Sequence, residues 1–291
     1  LCIIFGIADE ARARRIVSSV ALTPWGTPCF NPQIPNIYPY HNNAVWPFVE
    51  AYWMWASAKA GNQQAAVHSM ASIYRTASIF ATNQQNVDAT LGGLNTAKNS
   101  RGSILSAVGN LSVAHKILMG VDFVEQGLAV RPFVPKDWTG QKRLTMRYRK
   151  ALLEIVVEGY GDKIAGFYVD GKRQKEPIVS GSITGKHKVR VVMADGFNYQ
   201  EAAKFGPVTT SLETVPQVYF EGRNMLAWHP VMGAVKYKIL RNGQLLTTRD
   251  EQLNGNRLAI GKASTYTEYQ VIAVDKDGNE SFASEPLAAY D

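Results

Sequence analysis

The spacing of hydrophobic residues changes near residue 130 of this 291-residue chain, and that change restricts the possible folds more than any other feature. Before it, apolar residues recur at the spacing of helices, as in Gln63–Thr82 and Ser100–Met119. After it, apolar and polar residues alternate, which is the period of half-buried strands. We therefore expect a multidomain chain in which a helical part precedes all-β parts.

The helical part is predicted to cover residues 1–129. A helix is predicted over Ala44–Ala60, because Pro47 falls in its first turn, where proline is tolerated. The polar, glycine-containing stretch Asn83–Asn99 is predicted to be a long loop. The apolar start Leu1–Ala8 is interpreted as the end of a helix, so we expect a fragment of a longer protein that self-associates.

Two all-β units are predicted to follow. Residues 130–205 hold several alternating segments and the hairpin signal Asp170–Gly171, which together favour a β-sandwich. Residues 206–215 are rich in Pro, Thr and Ser and are predicted to be a linker. Residues 216–291 contain further alternating segments and the turn signal Asn242–Gly243, so a second sandwich is expected.

The last zone resembles a fibronectin type III domain. The resemblance is carried by Trp228, the Ala234-x-x-Tyr237 segment, Tyr269 and the closing Ser281-x-x-Ser284-Glu-Pro286. It implies a two-sheet sandwich and indicates little about function, because one fold serves many roles.

Composition excludes several classes of protein. With 46% hydrophobic and 19% charged residues the chain is globular, and no apolar run reaches the roughly 20 residues of a membrane span. The two cysteines, Cys2 and Cys29, exclude a disulfide-dense scaffold and a thiolate zinc cluster. The net charge of +7 is not gathered in a Lys/Arg block, so nucleic acid is not expected as a partner.

Aromatic residues concentrate between Trp25 and Trp55, with nine in 31 residues, and five prolines lie in the same stretch with a sixth, Pro24, directly before it. A proline-stiffened aromatic loop beside amides and an imidazole offers the groups that stack on a sugar and hydrogen-bond to it. The candidate sugar-binding residues are Trp25, Tyr40, His41, Asn42, Asn43 and Trp46. Trp53 and Trp55 are interpreted as core. No second histidine stands at metal-ligand spacing from His41, so neither a metal nor a cofactor is expected.

Acidic residues are scarce in the helical part, since Glu50 and Asp88 are the two between residues 11 and 121, against eight Lys and Arg. Glu50 shares a helical face with Trp46 and Trp53, so its pKa is expected to rise by desolvation, as acid–base catalysis requires. The alternative is a first-turn Glu favoured by the helix dipole. Asp88 lies in the predicted loop, where either a catalytic carboxylate or a turn residue is expected.

The run from Ile34 to Trp53, with Tyr40-His41-Asn42 and Trp46-Pro47, resembles the (α/α)6 six-hairpin glycosidases, such as debranching-type amyloglucosidases and rhamnosidases. Ser106-x-x-Gly109-Asn110-Leu111 resembles their final barrel helix, and Phe133-Val-Pro135 leads into a similar sandwich. The resemblance implies the last barrel hairpins of a secreted or periplasmic glycoside hydrolase. In such an enzyme one carboxylic acid protonates the glycosidic oxygen and a second carboxylate activates water.

Departures from that family leave other functions open. Such a barrel needs twelve helices, whereas about four are predicted here, and the family's general acid lies on an earlier hairpin. The chain is therefore expected to supply a sugar-binding wall and one catalytic carboxylate, Asp88 or Glu50, and to be inactive alone. Its expected partners are a carbohydrate and either a missing barrel segment or a second copy. A non-catalytic carbohydrate-binding or structural module is the alternative, and a phosphorylase relative is a third reading.

Overall fold

The computed structural model describes residues 1–200, 202–207, 212, 214–246, 255–261 and 265–289. The chain forms two compact units. Unit 1 comprises Leu1–Cys29 and Pro39–Pro207, and unit 2 comprises Phe30–Tyr38 and Val208–Asp291. Five residues of the predicted linker, 208–211 and 213, lie outside the described residues.

The described part of unit 1 contains four α-helices and one π-helical segment. They are α1 (Glu10–Ser19), α2 (Pro47–Lys59), α3 (Gln63–Phe80), α4 (Ile104–Ser112) and the π-helical segment Val113–Leu118. Side chains cap three of the helices, because Asp9, Asn62 and Ser103 each accept a hydrogen bond from the backbone N–H three residues later. Helix α2 instead begins with Pro47 directly after Trp46.

The helices agree with the sequence except at the start of the chain. Helices α2, α3 and α4 lie within the three predicted helical ranges, and residues 83–99 form the expected loop with one short strand in it. The expected helix over Leu1–Ala8 is wrong, because these residues form turns and Gly6 adopts a φ of 72°. Helix α1 follows and was not predicted, since only Ala13 and Val17 are buried along it.

Helix α2 packs against α3 and α4, and a small residue permits the second contact. A Cβ atom on Gly109 of α4 would lie 2.8 Å from the carbonyl oxygen of Pro47. Met54 of α2 and Met70 and Ile73 of α3 lie in one core with Val113 and Ile117 of the π-helical segment, Phe133 and Phe197. Along the rest of its surface, α4 leaves Ile104, Leu105, Val108 and Leu111 between 52% and 79% exposed.

Twelve strands are described in unit 1. They are β1 (Ala21–Leu22), β2 (Ala44–Val45), β3 (Val87–Asp88), β4 (Val121–Val124), β5 (Gly127–Val130), β6 (Lys142–Tyr148), β7 (Lys150–Glu158), β8 (Lys163–Val169), β9 (Lys172–Arg173), β10 (Ile178–Ser180), β11 (Thr184–Ala194) and β12 (Lys204–Phe205). The order β6-β7-β11-β8-β9 makes a five-stranded sheet and β10-β5-β4 a three-stranded sheet. The predicted Asp170–Gly171 hairpin is confirmed between β8 and β9.

The five- and three-stranded sheets share one apolar core, so unit 1 contains a sandwich. Leu128, Val130 and Val179 from the smaller sheet belong to the same buried cluster as Leu153, Ile155, Val157, Phe167, Val189 and Val191 from the larger. The sandwich strands begin at Val121, inside the range 1–129 that was predicted to be helical. The helices and this sandwich fall in one compact unit.

The described residues of unit 2 form two antiparallel sheets around a second core. Its strands are β13 (Val218–Phe220), β14 (Met225–Trp228), β15 (Ala234–Arg241), β16 (Gln244–Leu245), β17 (Arg257–Ala259), β18 (Thr267–Asp275) and β19 (Leu287–Ala289). The sheets have the orders β13-β14-β17 and β16-β15-β18-β19. Trp228 and Tyr269 are fully buried in the core between them. The predicted Asn242–Gly243 hairpin is confirmed between β15 and β16.

The chain is thus a β-rich multidomain protein with few helices. The four α-helices among the described residues do not form an (α/α)6 toroid, which takes twelve. No helix in the described ranges is both long and apolar enough to cross a bilayer.

Candidate functional site

A short strand pair brings Asp88 to the predicted sugar-binding loop. Strands β2 and β3 are antiparallel, with Ala44 opposite Asp88. Next to this pair, the carbonyl oxygen of Asn43 accepts a hydrogen bond from Ala89 N at 2.9 Å. The Thr90 hydroxyl donates to the Asn43 side-chain oxygen at 3.1 Å. Residues 40–43 and 88–93 therefore form one surface, which we call the loop site.

The Asp88 side chain is held rigidly by its own loop. Its Oδ1 accepts hydrogen bonds from the backbone N–H groups of Thr90 at 2.8 Å and Leu91 at 2.7 Å. Oδ2 makes no hydrogen bond or ion pair with any described residue. Asp88 is 8% exposed. The two hydrogen bonds hold its carboxylate in one orientation and leave Oδ2 to accept a hydrogen bond from another partner.

Tyr40, His41 and Trp46, which flank strand β2, form an aromatic cluster. The His41 and Trp46 rings stack at 5.1 Å between centroids, and Tyr40 meets Trp46 edge-on at 5.0 Å. The Trp46 indole N–H donates to the Tyr40 carbonyl oxygen at 2.6 Å. His41 is exposed and Tyr40 half-buried, whereas Trp46 and Asn42 are buried. Trp46 thus supports the loop, and the accessible ring surface belongs to His41 and Tyr40.

Trp25 joins the loop site from a different segment of unit 1. A Cβ atom on Gly92 would lie 2.1 Å from the Trp25 ring, so the ring rests directly on the 88–93 loop. The guanidinium of Arg75 lies 5.7 Å from the ring centroid, and its Nη1 donates to the carbonyl oxygen of Pro24. Trp25 is half-buried and keeps part of its surface accessible.

The contact between Gly92 and Trp25 predicts a large difference between two adjacent glycines. Gly92→Ala should lower the free energy of unfolding by about 2–4 kcal/mol, because it places a methyl group in the Trp25 ring and strains a φ of 70°. A Cβ atom on Gly93 would meet nothing within 4 Å. Gly93→Ala should therefore change stability by less than about 1 kcal/mol. Urea unfolding followed by tryptophan fluorescence measures both, and equal effects would contradict this packing.

Glu50 lies in the interior rather than at the loop site. It is fully buried, and its Oε2 accepts a hydrogen bond from Thr27 N at 2.7 Å. A Cβ atom on Gly26 would lie 3.1 Å from Oε2 and 2.5 Å from the Ser72 hydroxyl. Glu50 therefore fixes the backbone of residues 26–27, directly after Trp25, and does not face solvent.

Burial raises the pKa of Glu50 from its ordinary value to about 7. The nearby Ser69 hydroxyl, which makes no hydrogen bond with a described residue, and the hydrogen bonds from Thr27 oppose that rise. Burial, with a smaller contribution from Glu50, also raises the pKa of the Cys29 thiol to about 11. The sequence predicted this direction for Glu50, but the buried partners are Thr27 and Ser69.

The structure places seven of the eight predicted site residues in or next to the loop site and separates Glu50 from it. Trp25, Tyr40, His41, Asn43 and Asp88 line the loop site or contact it, and Asn42 within it and Trp46 next to it are buried. Gly26, Thr27, Gly92 and Arg75 shape this surface, and sequence analysis did not select them. The sequence signal that could have selected Gly92 was its position in the same polar loop as Asp88. In the described ranges no three His, Cys, Asp or Glu side chains are grouped to hold a metal.

No protein-family model matches the chain. No curated protein matches it either. The family 28 exopolygalacturonase of Yersinia enterocolitica aligns with 25% of this chain and 19% of its own length, at 22% identity and a TM-score of 0.21. SGBP-B of the Bacteroides ovatus mixed-linkage glucan utilization locus, solved with a mixed-linkage heptasaccharide, aligns with 58% of this chain and 45% of its own length, at 16% identity and a TM-score of 0.18. Such TM-scores do not establish a common fold, and the chain spans less than half of either protein.

Proposed function

We propose that this chain is part of a glycoside hydrolase and that its loop site binds the sugar next to the cleaved bond. The observation that carries the proposal is the β2–β3 pairing, which sets Asp88 against residues 40–43. A carboxylate, an imidazole, a phenol and an indole then share one surface. These are the groups that stack on a sugar ring and hydrogen-bond to its hydroxyls.

Within this proposal Asp88 is the catalytic carboxylate and Glu50 is structural. Asp88 has a free Oδ2 and a fixed orientation, which suit a general base that activates water in an inverting mechanism. Glu50 is fully buried beneath residues 26–27 and meets no solvent through which a substrate could approach. The general acid comes from outside the described residues.

The exposed apolar face of α4 supports a further helical element as a partner. Ile104 is 79% and Leu111 61% exposed, and Val108 between them is 52% exposed. Such a row on one helix is costly to hydrate. We propose that helices of the same barrel cover it, supplied by another segment of the protein or by a second copy of the chain.

A non-catalytic carbohydrate-binding module is the second candidate. It is favoured by the turn bonds of Asp88, because a carboxylate that ties its own loop has a sufficient structural role. In this candidate Tyr40, His41 and Trp25 still bind sugar, but Asp88 takes no part in chemistry. The first candidate predicts that Asp88 is needed for turnover and the second does not, whereas both predict that the loop site binds sugar.

Binding to the loop site is testable on the chain itself. We expect a panel of neutral oligosaccharides to contain at least one ligand, and His41→Ala to weaken its binding by about 1–3 kcal/mol through loss of a stacked ring. His229→Ala is the matched control, since His229 is also exposed and packs on an aromatic ring, Tyr219 at 5.2 Å, in unit 2. Isothermal titration measures both. Equal loss in both variants, or no ligand in the panel, would contradict the proposed site.

A further inference from the structure

A second cavity in unit 1 differs from the loop site in its chemistry. Its volume is about 570 Å³, within the range of small-molecule sites. It is enclosed by the last turn of α2, the π-helical segment, the beginnings of β4 and β8, and residues 131–133. We call it the basic cavity.

Positive side chains outnumber acidic ones around the basic cavity. Its charged lining is Arg14, Lys59, Lys116, Arg131 and Lys163 against Glu10, Asp122 and Asp162. Two cations are neutralised locally, because Arg14 pairs with Glu10 and Lys116 with Asp122, the latter at 2.8 Å. Arg131 and Lys163 form no ion pair with a described side chain. The remaining excess is positive and favours an anionic ligand.

An aromatic ring lies among these charges. The Trp55 ring centroid is 5.3 Å from Lys59 Nζ and 4.9 Å from Lys116 Nζ. The half-buried indole offers apolar contact to a ligand ring, and Arg131 and Lys163, which form no ion pair with a described side chain, supply positive charge for a charged substituent on that ring. Neither an inorganic ion nor a neutral sugar alone would use both features.

Asp162 adds a buried polar atom to the cavity wall. Its Oδ1 is buried and makes no hydrogen bond with a described residue. Burial raises the pKa of Asp162, while the backbone N–H groups of Asp162 and Gly196 and the charge of Lys163 oppose the rise. Asp162 thereby adds a carboxyl group of raised pKa to a cavity wall whose other charged side chains are mostly cationic.

We propose that the basic cavity binds a carboxylate-bearing sugar, a uronic acid residue, with its carboxylate at Arg131 and Lys163 and its ring against Trp55. Arginine matches a carboxylate in planar bidentate geometry, which makes Arg131 the main selector. That the ring is a saccharide rests on the proposed function. That the ligand is an anion rests on the positive charge of the cavity lining and is independent of the proposed function.

The test uses the whole chain and two ligands that differ only at C6, glucuronate and glucose, with inorganic phosphate as a third. We expect glucuronate to bind at least tenfold more tightly than glucose or phosphate in isothermal titration. The double variant Arg131→Ala/Lys163→Ala should weaken glucuronate binding at least tenfold. Both side chains are exposed, so the fold should persist, and circular dichroism verifies this. The double variant Arg147→Ala/Lys150→Ala, which removes the same two positive charges from exposed positions on β6 and β7, should leave binding unaltered.

Three results would overturn the assignment: glucose bound as well as glucuronate, phosphate bound as well as glucuronate, or the double variant binding like the parent. Failure here is distinguishable from failure at the loop site. His41→Ala should leave glucuronate binding unchanged, and the double variant should leave neutral oligosaccharide binding unchanged. If either variant weakened binding of the other site's ligand, the two sites would not be separate.

Discussion

Asp88→Asn should lower the turnover of the glycosidase that contains this chain by about 10²–10⁴-fold, with substrate affinity changed only a few-fold. The asparagine keeps an Oδ1 that accepts from Thr90 N and Leu91 N, so the loop geometry should survive. What disappears is the negative charge and basicity of Oδ2, the oxygen without a partner among the described residues. Steady-state kinetics on an oligosaccharide separate the two quantities.

Asp9 provides a matched control for this substitution. Its Oδ1 also accepts from a backbone N–H, Arg12 N at 2.8 Å, as the N-cap of α1. Asp9→Asn makes the same chemical change at a position that has no catalytic role in the proposal, and asparagine is an equally good cap. Turnover should therefore stay near that of the parent. If Asp88→Asn also stays within a few-fold of the parent, Asp88 is a turn residue and the binding-module candidate is favoured.

The second large effect concerns stability and pH, and it arises from Glu50. Its pKa rises from 4.5 to about 7 on folding because the carboxyl is buried. Between those values the folded state holds a proton that the unfolded state has lost, so the free energy of unfolding falls as pH rises. The free energy of unfolding should be about 3 kcal/mol lower above pH 7 than below pH 4.5, because each unit of pKa shift corresponds to about 1.36 kcal/mol. Below pH 4.5 this stability is fully present.

Glu50→Gln should remove most of that pH dependence, since the amide carries no charge at any pH. Its oxygen can accept from Thr27 N, and its NH2 group can donate to the Thr27 and Ser69 hydroxyls. Urea unfolding at pH 5 and pH 8, followed by fluorescence, measures unit 1, which holds five of the six tryptophans. Glu125→Gln in an exposed turn is the control, and its free energy of unfolding should depend on pH as the parent's does. An unchanged slope in Glu50→Gln would show that Glu50 stays ionised in the interior.

Local patterns predicted the parts of the fold that local energetics determine. The Asp170–Gly171 and Asn242–Gly243 hairpins have positive φ at both residues, a conformation that Asx and Gly adopt at low cost. The period change near residue 130 correctly separated helical from strand-forming sequence, apart from the short strands β1 to β5. Those strands have two to four residues each, too few to show a period.

Pairings between distant segments carried no local signal. Strands β1 and β12 pair in parallel and join residues 21–22 to residues 204–205. The two-residue strands β2 and β3 place Asp88 at the loop site in the same way. The burial of Glu50 was predicted from its helical face, but Thr27, its principal partner, lies 23 residues earlier in a segment without regular period. Such contacts depend on tertiary packing, which a single sequence read locally does not contain.

The discontinuity of unit 2 affects the order in which a ribosome can complete it. Its first segment, Phe30–Tyr38, is synthesised about 180 residues before Val218–Phe220 and about 250 before Leu287–Ala289. Domains generally fold as units once their whole sequence has emerged. Residues 30–38 can therefore join the rest of unit 2 only after all of unit 1 has been translated. Translation speed and chaperone contact in that interval should influence the yield of native protein.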